Sequence, residues 1–350
     1  MKKLIGAIMA LFVCVGLTTA TASTFTPPPI GSKEVNVWVG FGPGGGFDTS
    51  ARVFARHFGK HLPGNPTVVV RNKQGAGSVK LLNFLYRETP KNRFDVGFFL
   101  PTAMHIPIYG KRKVRFKPEA FWYVGNMYTD INSCSVWRGG GQGIETFDDL
   151  ITAKHPIIFG SAHPSTPMST FPMFFKNALG ANLRIVQGYR GTAKALHAVM
   201  TGEVHAFCGT FESTLRGPFK NYHKAGDLRP FIQIDISDRS NFFGDKATLL
   251  SSLLKTEEQK RLANFIFGID RMTRPIIAPP HTPKENLAIL RKAFFNTMND
   301  TEFRADAKRI LGVTPNPTDG KNVQKFFEDL AKTPRPIVER AWRLTRPEKK

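Results

Sequence analysis

Hydrophobic positions along the chain change period, from the alternation of a β-strand to the spacing of a helix. Residues 35–41 alternate and are β-branched or aromatic, which predicts a strand. The helix predicted to follow has Asp48 as its N-cap, and its apolar positions fall on one face. Those positions are Ala51, Phe54, Ala55, Phe58 and Leu62. A second strand over Thr67–Val70 and a second helix from Val79 repeat this order.

A glycine-rich loop joins each of these strands to its helix. The first glycine loop is residues 42–46, Gly-Pro-Gly-Gly-Gly, and the second glycine loop is residues 75–78, Gly-Ala-Gly-Ser. Backbone N–H groups in such loops have no side chains to shield them, and the positive end of the helix dipole adds to their attraction for anions. The pattern predicts an anion site, with a pair of turns that merely need positive φ as the alternative.

The first glycine loop does not match a nucleotide-binding motif. It is not followed by Gly-Lys-Ser/Thr, as a Walker loop would be. Phe47 places a bulky side chain where the third glycine of G-x-G-x-x-G should pack. An enzyme that uses NAD or ATP is therefore disfavoured.

The rest of the chain continues the alternation of strands and helices, which predicts an α/β protein. Further strands are predicted over residues 95–100, 156–161, 183–187, 204–208 and 274–280. Further helices are predicted up to about residue 178, over 192–201, within 246–268, from Thr282 and over 320–343. The length of 350 residues favours about two domains.

The N-terminal pattern predicts export. Met1-Lys2-Lys3 precedes an apolar run over residues 4–17, and Ala20-Thr21-Ala22 fits the A-x-A cleavage pattern. We therefore expect a cleavable signal peptide over residues 1–22. The alternative is an uncleaved membrane anchor, which the shortness of the apolar run disfavours.

The chain is strongly basic, with a formal net charge of +22 at pH 7. An exported protein rarely meets nucleic acid, so no nucleic-acid partner is expected. The charge then points to an anionic ligand or surface, or to a solubilising role. The basic run over residues 111–117 is interpreted as a solvated loop, with a docking patch for membrane partners or lipid head groups as the alternative.

Cys134 and Cys208 are the only cysteines beyond the predicted signal peptide. Two cysteines in a chain of this length do not form a disulfide framework, so buried free thiols are favoured. A bond between them is the alternative in an oxidising compartment. Because the chain has no CxxC motif and no clustered histidines, it predicts no metal site and no cofactor.

Two segments carry a family resemblance. Phe-Gly-Pro-Gly-Gly-Gly-Phe-Asp at 41–48 and Asn-Lys-Gln-Gly-Ala-Gly at 72–77 resemble the paired glycine motifs of the Bug family. Members of this family are the TctC-like extracytoplasmic solute-binding components of tripartite tricarboxylate transporters. The resemblance continues in weaker form to about residue 215 and fades from about Asp235.

The resemblance implies a periplasmic α/β binding protein of the type II-like, Venus flytrap kind. Each of its two lobes would be a mixed, mostly parallel sheet flanked by helices. Lobe 1 would comprise residues 23–130 and 271–350, and lobe 2 would comprise residues 131–270. The implied function is capture of a small carboxylate by backbone amides and lobe closure, followed by delivery to a membrane transporter. We expect a monomer.

The loop pattern and the resemblance together give a set of candidate ligand contacts. In lobe 1 they are Phe41, Gly44, Gly45, Gly46, Phe47, Asp48, Gly75, Ala76, Gly77 and Thr102. In lobe 2 they are Ser161, Ser165, Thr166, Tyr189 and Thr210. Thr102 follows the third predicted strand, where its hydroxyl can contact a ligand or simply cap a helix.

Three positions depart from the family pattern. His163 interrupts a loop that is usually rich in Gly and Ser; it is favoured to be solvated, with sensing of pH or direct contact with a carboxylate as the alternatives. Cys208-Gly209-Thr210 stands where relatives often carry an aspartate. Phe47 replaces a small or polar residue, and its ring can stack on an aromatic or alicyclic acid or act as a hydrophobic staple ahead of the Asp48 cap.

Two other functions are kept as alternatives. A ligand-sensing partner of a membrane sensor kinase would use the same site and differ only in what it docks with. A hydrolase or isomerase on the same fold is less favoured, because the loops contain no adjacent nucleophile and base and no paired carboxylates.

Overall fold

The structure is a computed structural model that describes residues 34–89, 94–111, 113–189, 191–235, 243–244 and 247–346. The predicted signal peptide lies outside these residues. The strands are β1 Val35–Val39, β2 Val68–Asn72, β3 Phe94–Phe98, β4 Trp122–Asn126, β5 Asn132–Trp137, β6 Ile157–Ser161, β7 Leu183–Gln187, β8 Ala206–Phe211, β9 Leu228–Ile234, β10 Thr248–Leu249, β11 Pro275–Ala278 and β12 Thr318–Asp319.

The helices surround these strands. They are α1 Gly46–Phe58, α2 Val79–Arg87, α3 His105–Tyr109, α4 Asp148–Thr152, α5 Pro167–Leu179, α6 Thr192–Met200, α7 Glu212–Arg216, α8 Lys220–Lys224, α9 Leu250–Leu253, α10 Glu257–Phe267, α11 Lys284–Asn299, α12 Thr301–Asp306, α13 Gly320–Ala331 and α14 Arg335–Leu344. In the described part of the chain, no helix is both long and apolar enough to span a membrane.

The strands form two separate mixed sheets, which confirms the predicted two-lobed α/β fold. The first sheet has the order β12-β4-β11-β3-β1-β2, and the second has the order β10-β9-β5-β8-β6-β7. In the first sheet β1 is parallel to both β2 and β3, while the returning strand β11 is antiparallel to β3 and β4. In the second sheet β6 is parallel to β7 and β8, while β5 is antiparallel to β8 and β9.

Two chain segments cross between the sheets side by side. The chain leaves the first sheet after β4 and returns to it before β11. Arg274 N donates to Asn126 Oδ1 at 2.9 Å, and Met127 N donates to Arg274 O at 3.1 Å. Thr273 Oγ1 also donates to Tyr128 O at 2.6 Å. These bonds form the hinge between the lobes, because they tie the outgoing and the returning segments together.

The hydrophobic core is continuous between the lobes. One buried cluster includes Leu81 and Leu82 of α2 as well as Phe171 and Phe174 of α5. The C-terminal helix α14 packs against α3, α5 and α10, so it contacts helices on both sides. The lobes are therefore closed on one another in this structure.

Several predicted elements have different limits in the structure. Helix α1 begins at Gly46 with Gly45 as its N-cap, so the prediction that Asp48 is the cap is wrong. The predicted last helix over 320–343 is two helices, α13 and α14. It is broken because Pro334 disfavours helical backbone in the residue before it. The buried helices predicted within 246–268 are α9 and α10.

Cys134 and Cys208 form a disulfide, which corrects the interpretation as free thiols. They are paired residues on the adjacent antiparallel strands β5 and β8, and both are fully buried. Sequence spacing alone could not show this pairing, because the two cysteines lie 74 positions apart along the chain. The basic side chains of Lys111, Lys113 and Arg115 are exposed, in agreement with a solvated loop.

Candidate functional site

One carboxylate fixes the first glycine loop to the sheet. Asp48 lies in the first turn of α1 and is 2% exposed. Its oxygens accept hydrogen bonds from Gly44 N at 2.9 Å, Arg52 Nε at 2.8 Å and Asn72 Nδ2 at 2.8 Å. Burial raises the pKa of Asp48, but these bonds outweigh burial and hold the pKa below its ordinary value. Both carboxylate oxygens are therefore engaged within lobe 1.

The first glycine loop presents backbone donors to the solvent. Gly44, Gly45 and Gly46 are exposed, and Gly44 has a φ of +80°. Among the described residues, the N–H groups of Gly45, Gly46 and Phe47 have no acceptor. They belong to the N-cap and first turn of α1, where unsatisfied amides and the helix dipole attract an anion.

The second glycine loop is a run of left-handed backbone. Gly75, Ala76, Gly77 and Ser78 all have positive φ, with values of 146°, 47°, 61° and 75°. Their N–H groups also lack an acceptor within the described chain. Left-handed backbone is costly for Ala and Ser, so the conformation needs support from its surroundings. Ser78 receives this support, because its buried Oγ accepts a hydrogen bond from Leu100 N at 3.0 Å.

The two glycine loops lie side by side because β1 and β2 are parallel neighbours. Asn72 Nδ2 donates to Phe41 O at 2.9 Å, which joins the end of β2 to the start of the first loop. Gly40 packs directly on the second loop, and a Cβ atom at that position would lie 2.3 Å from Ser78 Oγ. The unpaired amides of both loops therefore converge at one edge of the first sheet, namely the edge formed by the carboxyl ends of β1 and β2.

Arg274 lies beneath this edge, and sequence reasoning missed it as a functional residue. Its side chain is 2% exposed. Nε donates to Ser50 Oγ at 3.4 Å and Nη1 donates to Thr273 O at 2.9 Å. The guanidinium carbon lies 4.5 Å from the ring centre of Phe47 and 5.1 Å from that of Phe211. Phe47 is in lobe 1 and Phe211 ends strand β8 of the second sheet, so Arg274 contacts both lobes.

No sequence signal marked Arg274, because its contacts are made across the fold. The residue is 224 positions away from Ser50 along the chain. It precedes the returning strand β11, and only the hinge brings it under α1. An arginine before a proline gives no indication of such burial.

The predicted hydroxyls of lobe 2 divide into engaged and unpaired groups. Ser161 Oγ pairs with Ser169 Oγ, and Thr166 Oγ1 donates to His163 O at 2.8 Å. By contrast, Ser165 Oγ and Thr210 Oγ1 are buried without a partner among the described residues. Buried unpaired hydroxyls are uncommon, and each is available to a polar ligand.

The lobe 2 loop over 163–166 touches lobe 1. A Cβ atom at Gly77 would lie 3.6 Å from Thr166 Cγ2. Thr102 Oγ1 donates to Ser165 O at 3.3 Å, so Thr102 links the lobes. Thr102 lies inside a short 3-10 helix over Pro101–Met104 and does not cap it with its side chain.

The predicted ligand contacts Phe47 and Tyr189 both interact with other residues of their own lobe. Phe47 is 8% exposed, and its ring stacks on Phe41 with centres 4.9 Å apart. It lies within α1, so it is not a staple ahead of the helix cap. Tyr189 donates from its hydroxyl to Glu203 at 2.8 Å, which engages it within lobe 2.

Buried carboxyl groups surround the hinge. Asp130 accepts from Ile131 N at 3.0 Å and from both donors of Ser213. Asp270 accepts from Asn132 Nδ2 at 3.1 Å. Burial raises the pKa of Asp130, and it raises the pKa of Asp270 to about 7.

A second group of polar residues lies on the outer face of lobe 1. His57, Asp300 and Glu302 place their ligand atoms within 4.8 Å of one another. However, Lys60 Nζ lies 2.7 Å from both carboxylates and forms ion pairs with them. We therefore interpret this cluster as an ion-pair network and propose no metal there.

Comparison with known proteins agrees with this architecture. The model of the tripartite tricarboxylate transporter family receptor, TctC, matches residues 50–342. The periplasmic binding protein BugD is similar, with 19% identity and a TM-score of 0.67 over 89% of this chain and 98% of its own. A protein from R. palustris with adipate has 18% identity and a TM-score of 0.66, and the match covers 89% of this chain and 98% of that one.

MatC from Rhodopseudomonas palustris with bound malate has 16% identity and a TM-score of 0.63, over 90% of this chain and 99% of its own. No curated protein matches the chain. The similar structures share the fold at low identity, whereas the family model covers most of the sequence. The chain therefore belongs to the TctC family, the receptors of tripartite tricarboxylate transporters.

Proposed function

We propose that this protein is a periplasmic solute-binding protein that captures a small carboxylate and delivers it to a membrane transporter. One observation carries the proposal: the unpaired N–H groups of both glycine loops converge at the edge of the first sheet. Such amides bind a carboxylate without a charged side chain in the loop. Similar structures contain adipate and malate, which agrees with this ligand class.

Lobe closure completes the proposed site. The first lobe, residues 23–130 and 271–350, holds the carboxylate. The second, residues 131–270, supplies polar groups from above. Ser165 Oγ and Thr210 Oγ1 fit this role because they are buried and unpaired in the described structure. A ligand that contacts both lobes binds the closed form better than the open form, so it increases the closed population.

We propose that the protein acts in the periplasm, as a monomer and without covalent chemistry. The predicted signal peptide over residues 1–22 supports export. The partner would be the membrane component of a tripartite transporter, as the family name implies. A sensor kinase that reads the closed form is the alternative partner, and co-purification with each from the native membrane distinguishes them.

Thermal unfolding of residues 23–350 tests the proposal. The panel is adipate, malate, citrate and benzoate, each beside its uncharged amide. An acid at 100 times its dissociation constant should stabilise the protein by about 2.7 kcal/mol, and its amide should not. If no acid stabilises the protein, or if all polyanions stabilise it equally, the glycine loops are not a carboxylate site.

A further inference from the structure

We propose that Arg274 is the charged ligand contact of this site and sets its preference for ionised carboxylates over neutral analogues. The inference rests on the proposed function and goes beyond it. The glycine loops supply only partial charges, whereas Arg274 would place a full positive charge against the same carboxylate.

The first argument is the state of the charge. Arg274 is 2% exposed, and a buried cation is costly unless it is paired. Within the described chain, no carboxylate lies within 4.0 Å of its guanidinium nitrogens. Asp130 and Asp270 are near enough to interact with it through space, but their own hydrogen bonds are made to Ser213 and Asn132. A bound anion would give the guanidinium the close, hydrogen-bonded partner that these two carboxylates do not supply.

The second argument is geometric. Nε donates to Ser50 and Nη1 donates to Thr273, which leaves Nη2 without an acceptor among the described residues. Nη2 points to the first glycine loop, since it lies 3.5 Å from the place that a Cβ atom of Gly46 would take. The Gly46 N–H is itself unpaired. A carboxylate can therefore place one oxygen on the loop amides and the other on Nη2.

The third argument is that the guanidinium is held in place. Phe47 and Phe211 lie 4.5 and 5.1 Å from it, and Tyr128 lies 5.4 Å from it. Aromatic rings at these distances stabilise a cation and restrict its plane. Phe211 belongs to the second sheet and Phe47 to the first lobe. A ligand bound to Arg274 would therefore lie where the two lobes join.

This arrangement selects against neutral analogues. The loop N–H groups and Nη2 are all donors, so an acceptor-only carboxylate satisfies them. The NH₂ group of a carboxamide would face a donor. The ligand class is accordingly an acid with an ionised carboxylate at the end that enters the glycine loops.

Isothermal titration tests the role of Arg274, with the same four acids and their amides as probes. In Arg274→Met the affinity for the acid should fall about 30-fold or more, the scale for removing one member of a buried charge pair. The acid-to-amide preference should shrink in parallel, which a purely structural role would not cause. Arg274→Lys keeps the charge and should recover part of the preference.

A second variant tests the contact without disturbing the fold. Gly46→Ala would place its methyl group 3.5 Å from Nη2, an ordinary contact, so the protein should fold normally while acid binding weakens. Arg56→Met is the control, because it removes the same charge from an exposed position of α1 and should leave affinity unchanged. Wild-type protein that binds no acid refutes the proposed function. Wild-type binding with unchanged affinity and acid preference in Arg274→Met and Gly46→Ala refutes this inference alone.

Discussion

At the scale of single residues, the site depends on positions that have a small side chain or, at glycine, none. Position 40 has no room for a Cβ atom, because Ser78 occupies that space. Ser78 is in turn held in left-handed backbone by its bond to Leu100 N. The second glycine loop therefore depends on a residue in the first strand segment. This packing keeps the two sets of amides in fixed relation.

Gly40→Ala tests that packing. The new methyl group would lie 2.3 Å from Ser78 Oγ, so Ser78 must shift and the free energy of unfolding should fall by about 1–3 kcal/mol. The double variant Gly40→Ala with Ser78→Gly also removes the Ser78 side chain that the new methyl group would meet. It should therefore recover part of the lost free energy of unfolding. Urea unfolding of both single variants and the double variant measures it. Purely additive effects would show that the two residues do not press on each other.

Asp270 gives the hinge a pH dependence. Its folded pKa is about 7, above the unfolded value of about 3.9, because burial disfavours the charged form. The protonated group therefore contributes stability that is fully present below about pH 4 and is lost as the pH rises to about 7. Asp130, Asp235 and Arg274 are the charged groups that act on it.

Asp270→Asn should remove this dependence, since the amide keeps an acceptor for Asn132 and does not titrate. Relative to wild type, the variant should gain about 2–4 kcal/mol of stability between pH 4 and pH 7 and little more above it. Unfolding by urea across that range measures the difference. A constant difference at all pH values would contradict the account.

The residues of the site could be predicted from the sequence only where a local pattern carries them. The glycine loops are such a pattern, because strand, glycine loop and helix follow one another in the chain. Arg274 is not, since its contacts come from residues 50, 47 and 211. The sequence predicts Asp48 as the N-cap because Asp is common at that position, but the helix begins earlier, at Gly46.

At the scale of elements, the strands were more predictable than the helix ends. The predicted strands agree with β1, β2, β3, β6 and β7 to within a few residues. The break before α14 depends on Pro334, and the run of apolar positions on either side concealed it. The pairing of β5 with β8 could not be derived, because strand order is set by contacts distant in sequence.

The disulfide between β5 and β8 should stabilise lobe 2. It closes a long loop, because the cysteines lie 74 positions apart, and such cross-links typically contribute about 2–4 kcal/mol. Reduction with dithiothreitol should lower the unfolding temperature. The reductant should not change the unfolding temperature of Cys134→Ala, Cys208→Ala or the double variant, because none of them can form the bond. Identical melting of reduced and oxidised wild type would show that the bond is absent or without effect.

At the scale of the whole molecule, the order of elements predicts an α/β protein, the length favours about two domains, and the family resemblance implies two lobes. They could not predict how closely the lobes pack. Tyr109 of α3 meets Trp342 of α14 with ring centres 5.1 Å apart, and Asn177 of α5 donates to Leu344 O at 3.1 Å. The C-terminal helix thus ties both lobes, a role that its position in the sequence does not reveal.

The central claim is that the amides of the two glycine loops hold a carboxylate, and nuclear magnetic resonance tests it most directly. Protein labelled with ¹⁵N-glycine would be titrated with the panel acid that binds most tightly and with its amide. We predict that the signals of Gly45, Gly46, Gly75 and Gly77 move saturably with the acid, at one common dissociation constant, and stay in place with the amide. Saturable binding that leaves these four signals unchanged would contradict the account.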